Sequence, residues 1–188
     1  MDAEGNVLTA QRDRTVKGFE ESLVKLASWT DLKKKADGGD KAAKAELVVV
    51  ELEMGKLEVD AAKEALKDLP ALKKDLQARF DVALIGAEVG SVMKGVRTPE
   101  KAAEAGRKFT EMLKAGRAPK GDVSLQFYSA IMQAAETDGD APLFETALKA
   151  MRAEHGDKAN VKRFLEQGDK RLADLKAGKK PEPKGGAK

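Results

Sequence analysis

The chain has 188 residues, of which 36% are charged, 4% aromatic and none cysteine, with a formal net charge of +3. Lack of cysteine excludes disulfides, thiolate metal sites and thiol nucleophiles from it, while abundant Ala, Lys, Glu and Leu, all strong helix formers, point to an all-α fold. The whole net charge sits in residues 177–188, AGKKPEPKGGAK, where four lysines face one glutamate; the rest is balanced and shows no basic face with aromatic or Arg side chains for reading nucleic acid.

The chain opens on MDAEGNVL, where Asp2, Gly5 and Asn6 are turn residues and Val7, Leu8 and Thr9 can begin an outgoing strand. Only Met1 is left to supply the incoming one. Thr15 can then cap a helix whose apolar stripe is Val16, Phe19, Leu23, Leu26 and Ala27, ending near Trp29, with Thr30 and Asp31 starting a short segment to Asp37. DGGD at 37–40 breaks the chain, and Asp40 is placed to cap a helix over about Lys41–Met54 that turns Ala43, Leu47, Val50 and Met54 inward. Asp60 caps a short helix reaching Leu69. Pro70 can occupy the first turn of a long helix to about Lys94, with Leu72, Leu76, Phe80, Ala83, Ala87 and Val92 on its buried stripe.

Thr98 and Pro99 give a cap and a first-turn proline for a helix to Ala115, with Ala102, Ala105, Phe109 and Met112 inward. Asp122 caps the next, holding Val123, Phe127, Ile131 and Ala134. ETDGDAP at 136–142 then turns the chain into a helix with Phe144, Ala147, Leu148 and Met151, closed by His155, Gly156 and Asp157. Val161, Phe164, Leu165, Leu172 and Leu175 line the last helix, and the Pro-, Gly- and Lys-rich end at 177–188 reads as a disordered basic tail.

Connections this short make consecutive helices antiparallel hairpins. LQFYSAIMQAAETDGDAPLFETALKAM, residues 125–151, resembles a tetratricopeptide-type helix pair, and ELVVVELEMGKLEVDAAKEAL, residues 46–66, is a looser second instance. The repeat's roughly 34-residue period and its Trp, Leu-Gly and Tyr pattern are missing. The expected fold is therefore an all-α, irregular solenoid of about seven or eight helices, resembling tetratricopeptide arrays, over residues 30–176.

DAEGNVL followed by a helix with Phe19, Leu23 and Leu26 resembles the closing section of a thioredoxin-like domain, over about residues 2–29. That family's Cys-x-x-Cys and cis-proline strand have no counterpart in this chain, so no functional residue carries over. Either Met1 is an internal start and the chain is the helical C-terminal region of a larger thioredoxin-like protein, or the turn stands by chance on a free-standing helical protein.

Candidate chemistry is sparse. His155 is the one histidine, set at a helix C-terminus that favours it through the dipole. Asp138, Asp140 and Glu145 lie close in sequence but lack the sixth-position Gly and twelfth-position Glu of a calcium loop, leaving turn and cap chemistry. Gly86, Gly90 and Gly95 lack the Gly-Lys-Ser/Thr ending of a phosphate loop; the first two either admit a neighbouring helix or weaken their own. Tyr128, with Trp29 behind it as a plug beside the first helix, is the sequence's candidate for a partner groove. No catalytic, cofactor or metal residue is nominated.

The expected function is a non-enzymatic protein- or peptide-binding or scaffolding module. The alternative is an accessory helical region of a thioredoxin-like thiol-disulfide oxidoreductase whose catalytic part lies upstream. The longest aliphatic run, Leu47–Val50, is too short to span a bilayer. With no export signal in these residues the default compartment is the cytoplasm, or the periplasm or exterior if a segment precedes Met1.

Overall fold

The computed structural model describes residues 16–179, and the MDAEGNVL turn, the Thr15 cap, the Phe19 side chain and the end of the tail lie outside the described residues. Eight helices and no strand occur among those described: α1 (Val16–Asp37), α2 (Lys41–Glu53), α3 (Val59–Leu66), α4 (Lys74–Met93), α5 (Pro99–Lys114), α6 (Asp122–Asp138), α7 (Ala141–His155) and α8 (Ala159–Lys176). The protein is all-α. It divides into two compact units, one up to Ala87 and one from Glu88 on, and α4 runs through the division.

In the first unit α1 is one uninterrupted helix through Trp29 and Thr30, which corrects the expected break. The Thr30 hydroxyl donates to the Leu26 carbonyl of its own helix, 3.0 Å away, and so caps nothing. Asp40 does cap α2, accepting from the N–H groups of Ala42 and Ala43 at 2.9 and 3.0 Å. α2 buries Val48, Val49 and Leu52 rather than Leu47, Val50 and Met54, because it meets α1 and α3 as well as Phe80 and so presents a broader face than one stripe. Those three residues, Ala62 and Phe80 form the core of this unit. Leu69 and Leu72, in the connection before α4, pack against that core, and α4 begins at Lys74 rather than at Pro70. Asp60 lies inside the first turn of α3, where its charge suits the helix dipole, and the N-cap is Glu58.

Trp29 is held in place by two groups: its indole N–H donates to Glu51 at 3.4 Å, and the Lys56 ammonium lies 4.2 Å from its ring centre. Arg79 on α4 forks onto both oxygens of Glu53 on α2 at 3.0 and 2.7 Å, and that carboxylate raises the guanidinium pKa further.

In the second unit Thr98 caps α5 through the Lys101 N–H, with Pro99 at the first helical position. Phe109, Phe127, Ile131, Phe144, Leu148 and Met151 are fully buried. Removing an aromatic or large aliphatic side chain of this kind from water stabilises by about 1.5–3 kcal/mol. Phe109 of α5 stacks on Phe127 of α6, ring centres 5.0 Å apart. α6 ends where Gly139 turns to φ 73°, a left-handed conformation that glycine adopts without a steric penalty. Its N-cap is Gly121, and Asp122, expected as the cap, occupies the first helical position.

Cross-helix pairs give the directions. Arg107 of α5 forks onto Asp138 of α6, and Phe109 meets Phe127; Arg152 of α7 pairs with Asp169 of α8, and Glu145 with Lys176. Within each helix pair the earlier residue of one helix meets the later residue of the next, so α5–α6 and α7–α8 are antiparallel, as α6–α7 must be across a two-residue turn.

Candidate functional site

α6 and α8 are both antiparallel to α7 and therefore run in the same direction. Between them, bounded also by α5 and the end of α4, is an open groove of about 530 Å³. Met93, Leu125, Met132, Phe144 and Phe164 give it apolar surface, and Ala102, Ala130 and Gly168 keep it from being filled. Its polar side chains are Gln126, Ser129 and Gln133 on α6, and Gln167 and Arg171 on α8.

Helical periodicity builds both walls. Gln126, Ser129 and Gln133 follow one another at three- and four-residue steps beside Leu125 and Met132, and Phe164, Gln167, Gly168 and Arg171 do the same on α8. Phe164 stays 38% exposed, an unusual state for so large an apolar side chain. Arg171 faces Glu136 of α6 at 3.6 Å, beyond hydrogen-bonding reach. This pair joins the C-terminal parts of α6 and α8, so Arg171 stands at the Gln133 end of the groove and Phe164 at the Leu125 end.

A second polar cluster lies at the start of α6. Ser124 is fully buried and His155, the last residue of α7, is 2% exposed. The Ser124 Oγ is 2.6 Å from His155 Nε2 and donates its proton to the Gly121 carbonyl at 2.8 Å. With that proton committed, hydrogen-bond accounting assigns N–H to His155 Nε2, donating to Ser124, and leaves Nδ1 as an acceptor with no partner among the described residues. Glu154 accepts from the Gly121 N–H at 2.6 Å, a capping-box bond supplied by the neighbouring helix, and Lys158 adds an ion pair to Asp122 at 2.8 Å.

Ser, His and Glu in contact invite comparison with a nucleophile triad, and the geometry answers it. The Glu154 carboxylate approaches the same ring nitrogen that meets Ser124, at 4.0 Å, where a triad carboxylate orients the opposite nitrogen. The serine is also closed to any substrate. This cluster ties the start of α6 to the end of α7.

The Asp138, Asp140 and Glu145 group is dispersed into separate roles: Asp138 binds Arg107, Asp140 caps α7 through the Leu143 N–H at 2.9 Å, and Glu145 bridges to Lys149 and Lys176 at 2.7 Å each. No cluster of metal-ligating side chains occurs among the described residues. Arg107 holds the Asp138 carboxyl below its usual range, and the hydrogen bond from Lys149, reinforced by that from Lys176, brings Glu145 down to about 2. A carboxyl depressed in the folded state stabilises above its unfolded value, and that contribution is lost as pH falls from about 4.5 towards 2. NMR titration of the Glu145 side chain is therefore expected to give a midpoint near 2, and Lys149→Gln to raise it.

The structure places both sequence candidates for a partner groove in packed interiors. Trp29 is 7% exposed and Tyr128 6%, and neither lines the groove. Tyr128 packs edge-on against Phe127 with ring centres 5.3 Å apart, and burial raises its hydroxyl pKa. Of the groove residues, Phe164, expected on the buried stripe of the last helix, is instead exposed in the groove, while Leu125 and Met132 fall beside the expected stripe of α6. Among the described residues a Cβ at Gly86 or Gly90 would meet nothing within 4 Å, so neither glycine serves a close helix approach; one such approach is at Gly106.

No protein-family model, curated protein or solved structure matches the chain. No helix among the described residues is long and apolar enough to cross a membrane.

Proposed function

We propose that the protein is a non-enzymatic peptide-binding module acting through the groove between α6 and α8. The observation that carries this is an apolar trough with a row of amides shared between its two walls, two on α6 and one on α8. The side-chain amides of Gln126, Gln133 and Gln167 have no hydrogen-bond partner among the described residues. An amide both donates and accepts, as a peptide backbone does, so the row suits a main chain laid along it while Met93, Met132 and Phe164 take its apolar side chains. Sequential packing of α5 on α6, α6 on α7 and α7 on α8 supports the helical-repeat reading, in which such troughs are the usual binding surface.

Panning random dodecapeptides displayed on phage against the full chain tests this. Selected sequences, resynthesised with a fluorophore, are expected to bind the natural chain and to lose binding to Ser129→Trp, whose indole fills the trough. Selection of no peptide, or equal binding to the filled variant, sinks the reading.

A further inference from the structure

The groove has one charged lining side chain, and it is basic. The guanidinium of Arg171 keeps five N–H donors in a planar fork suited to a carboxylate, yet its partner Glu136 is at 3.6 Å, whereas the neighbouring Arg152 engages Asp169 at 2.7 and 2.8 Å. Arg171 is thus positioned by a carboxylate without being saturated by one. The other end of the same trough offers the half-exposed ring of Phe164 beside Leu125. Seven residues of α8 separate Phe164 from Arg171, which is two helical turns or about 10 Å.

Resting on the peptide-binding reading above, we infer that the groove selects an extended segment carrying an Asp or Glu side chain three positions from a bulky apolar one. In an extended segment of polyproline-II form three residues make one turn of about 9 Å, so side chains three positions apart share one face at close to the separation of the two ends of the trough. An extended segment also leaves its main-chain N–H and C=O groups available to Gln126, Gln133 and Gln167, which a helical one does not. Apolar contact at Phe164 supplies burial, and the fork of Arg171 supplies register and the choice of an acidic partner.

The phage selection, repeated with three variants, decides it. Peptides selected by the natural chain are expected to share the acidic residue at that spacing, and replacing it by its amide should weaken binding about ten- to hundredfold, the range for a charge-assisted hydrogen bond. Arg171→Gln should bind acid and amide peptides equally, Arg171→Lys should retain part of the preference, and Phe164→Ser should lose the apolar requirement while keeping the acidic one. Circular dichroism establishes that each variant is folded. Peptides that bind in the groove with no acidic preference overturn this inference and leave the peptide-binding reading standing; failure to select any peptide overturns both. Concentration-dependent dimerisation abolished by Phe164→Ser assigns the groove to a second copy of the chain and also overturns it.

Discussion

Gly106→Ala is expected to destabilise the second unit by about 3 kcal/mol or more, at the upper end of what overpacking costs. A Cβ at this position would lie 1.9 Å from the Ala130 carbonyl oxygen, 2.6 Å from its carbon and 2.8 Å from the Ala134 Cβ. Two of these are backbone atoms and the third is a methyl with no rotamer to change, so α5 and α6 must move apart. Separation weakens the stack of Phe109 on Phe127 and the rest of this interface, which holds several of the most buried side chains in the unit. Gly90→Ala is the internal control. Gly90 is exposed on α4, a Cβ there meets nothing within 4 Å, and the gain in helix propensity should stabilise by about 0.5–1 kcal/mol. Urea unfolding followed by circular dichroism reads both, and a loss below about 1 kcal/mol at position 106 would show that the helices do not cross this closely. Ala130 also lines the groove, so whatever Gly106→Ala protein remains folded should bind the selected peptides more weakly.

This glycine shows where the sequence is legible and where it is not. A glycine inside a helical pattern signals either a close neighbour or an exposed weak point, and the pattern does not say which. Gly86 and Gly90 are the unpacked kind, where a Cβ would meet nothing among the described residues, and Gly106 the packed kind, a difference created by α6 more than twenty residues later. What local chemistry decides was read well: Asp40 and Thr98 cap their helices, Pro99 starts one, and Phe144, Ala147, Leu148 and Met151 all face the core. Readings failed where a local signal has a second local outcome or a tertiary partner overrides it. Thr30 and Asp31 look like a helix start, but the Thr30 hydroxyl finds its acceptor one turn back and α1 continues. Val89 is fully buried although it lay off the predicted stripe of α4. The groove was invisible for the same reason. Its walls come from helices separated by the whole of α7, and Leu125 and Met132 sit beside the expected stripe while Phe164 sits on one, so that burial depends on what the next helix leaves uncovered.

Ser124→Ala is the second large effect, expected to cost about 2 kcal/mol, more than one hydroxyl hydrogen bond contributes by itself. The excess comes from what is stranded. Nδ1 of His155 already lacks a partner among the described residues, and removing the Ser124 oxygen leaves the Nε2–H buried without an acceptor as well, so the desolvation cost of a donor is added to the lost bond. If that account is right, the loss belongs to the pair rather than to serine. His155→Phe in the Ser124→Ala background removes both stranded nitrogens and should restore part of the stability, giving a coupling well outside the roughly 0.3–0.5 kcal/mol expected of independent sites. Additive losses within that margin would dismiss the pair, as would a nitrogen-detected NMR spectrum placing the proton on Nδ1. The consequence for binding follows from position. Ser124 holds the first turn of α6 to the end of α7, next to Leu125 at the apolar end of the groove, whereas Arg171 is anchored at the far end by Glu136. Loosening that first turn should relax selection for the apolar residue of a bound peptide and leave selection for the acidic residue in place, a separation that global unfolding cannot produce.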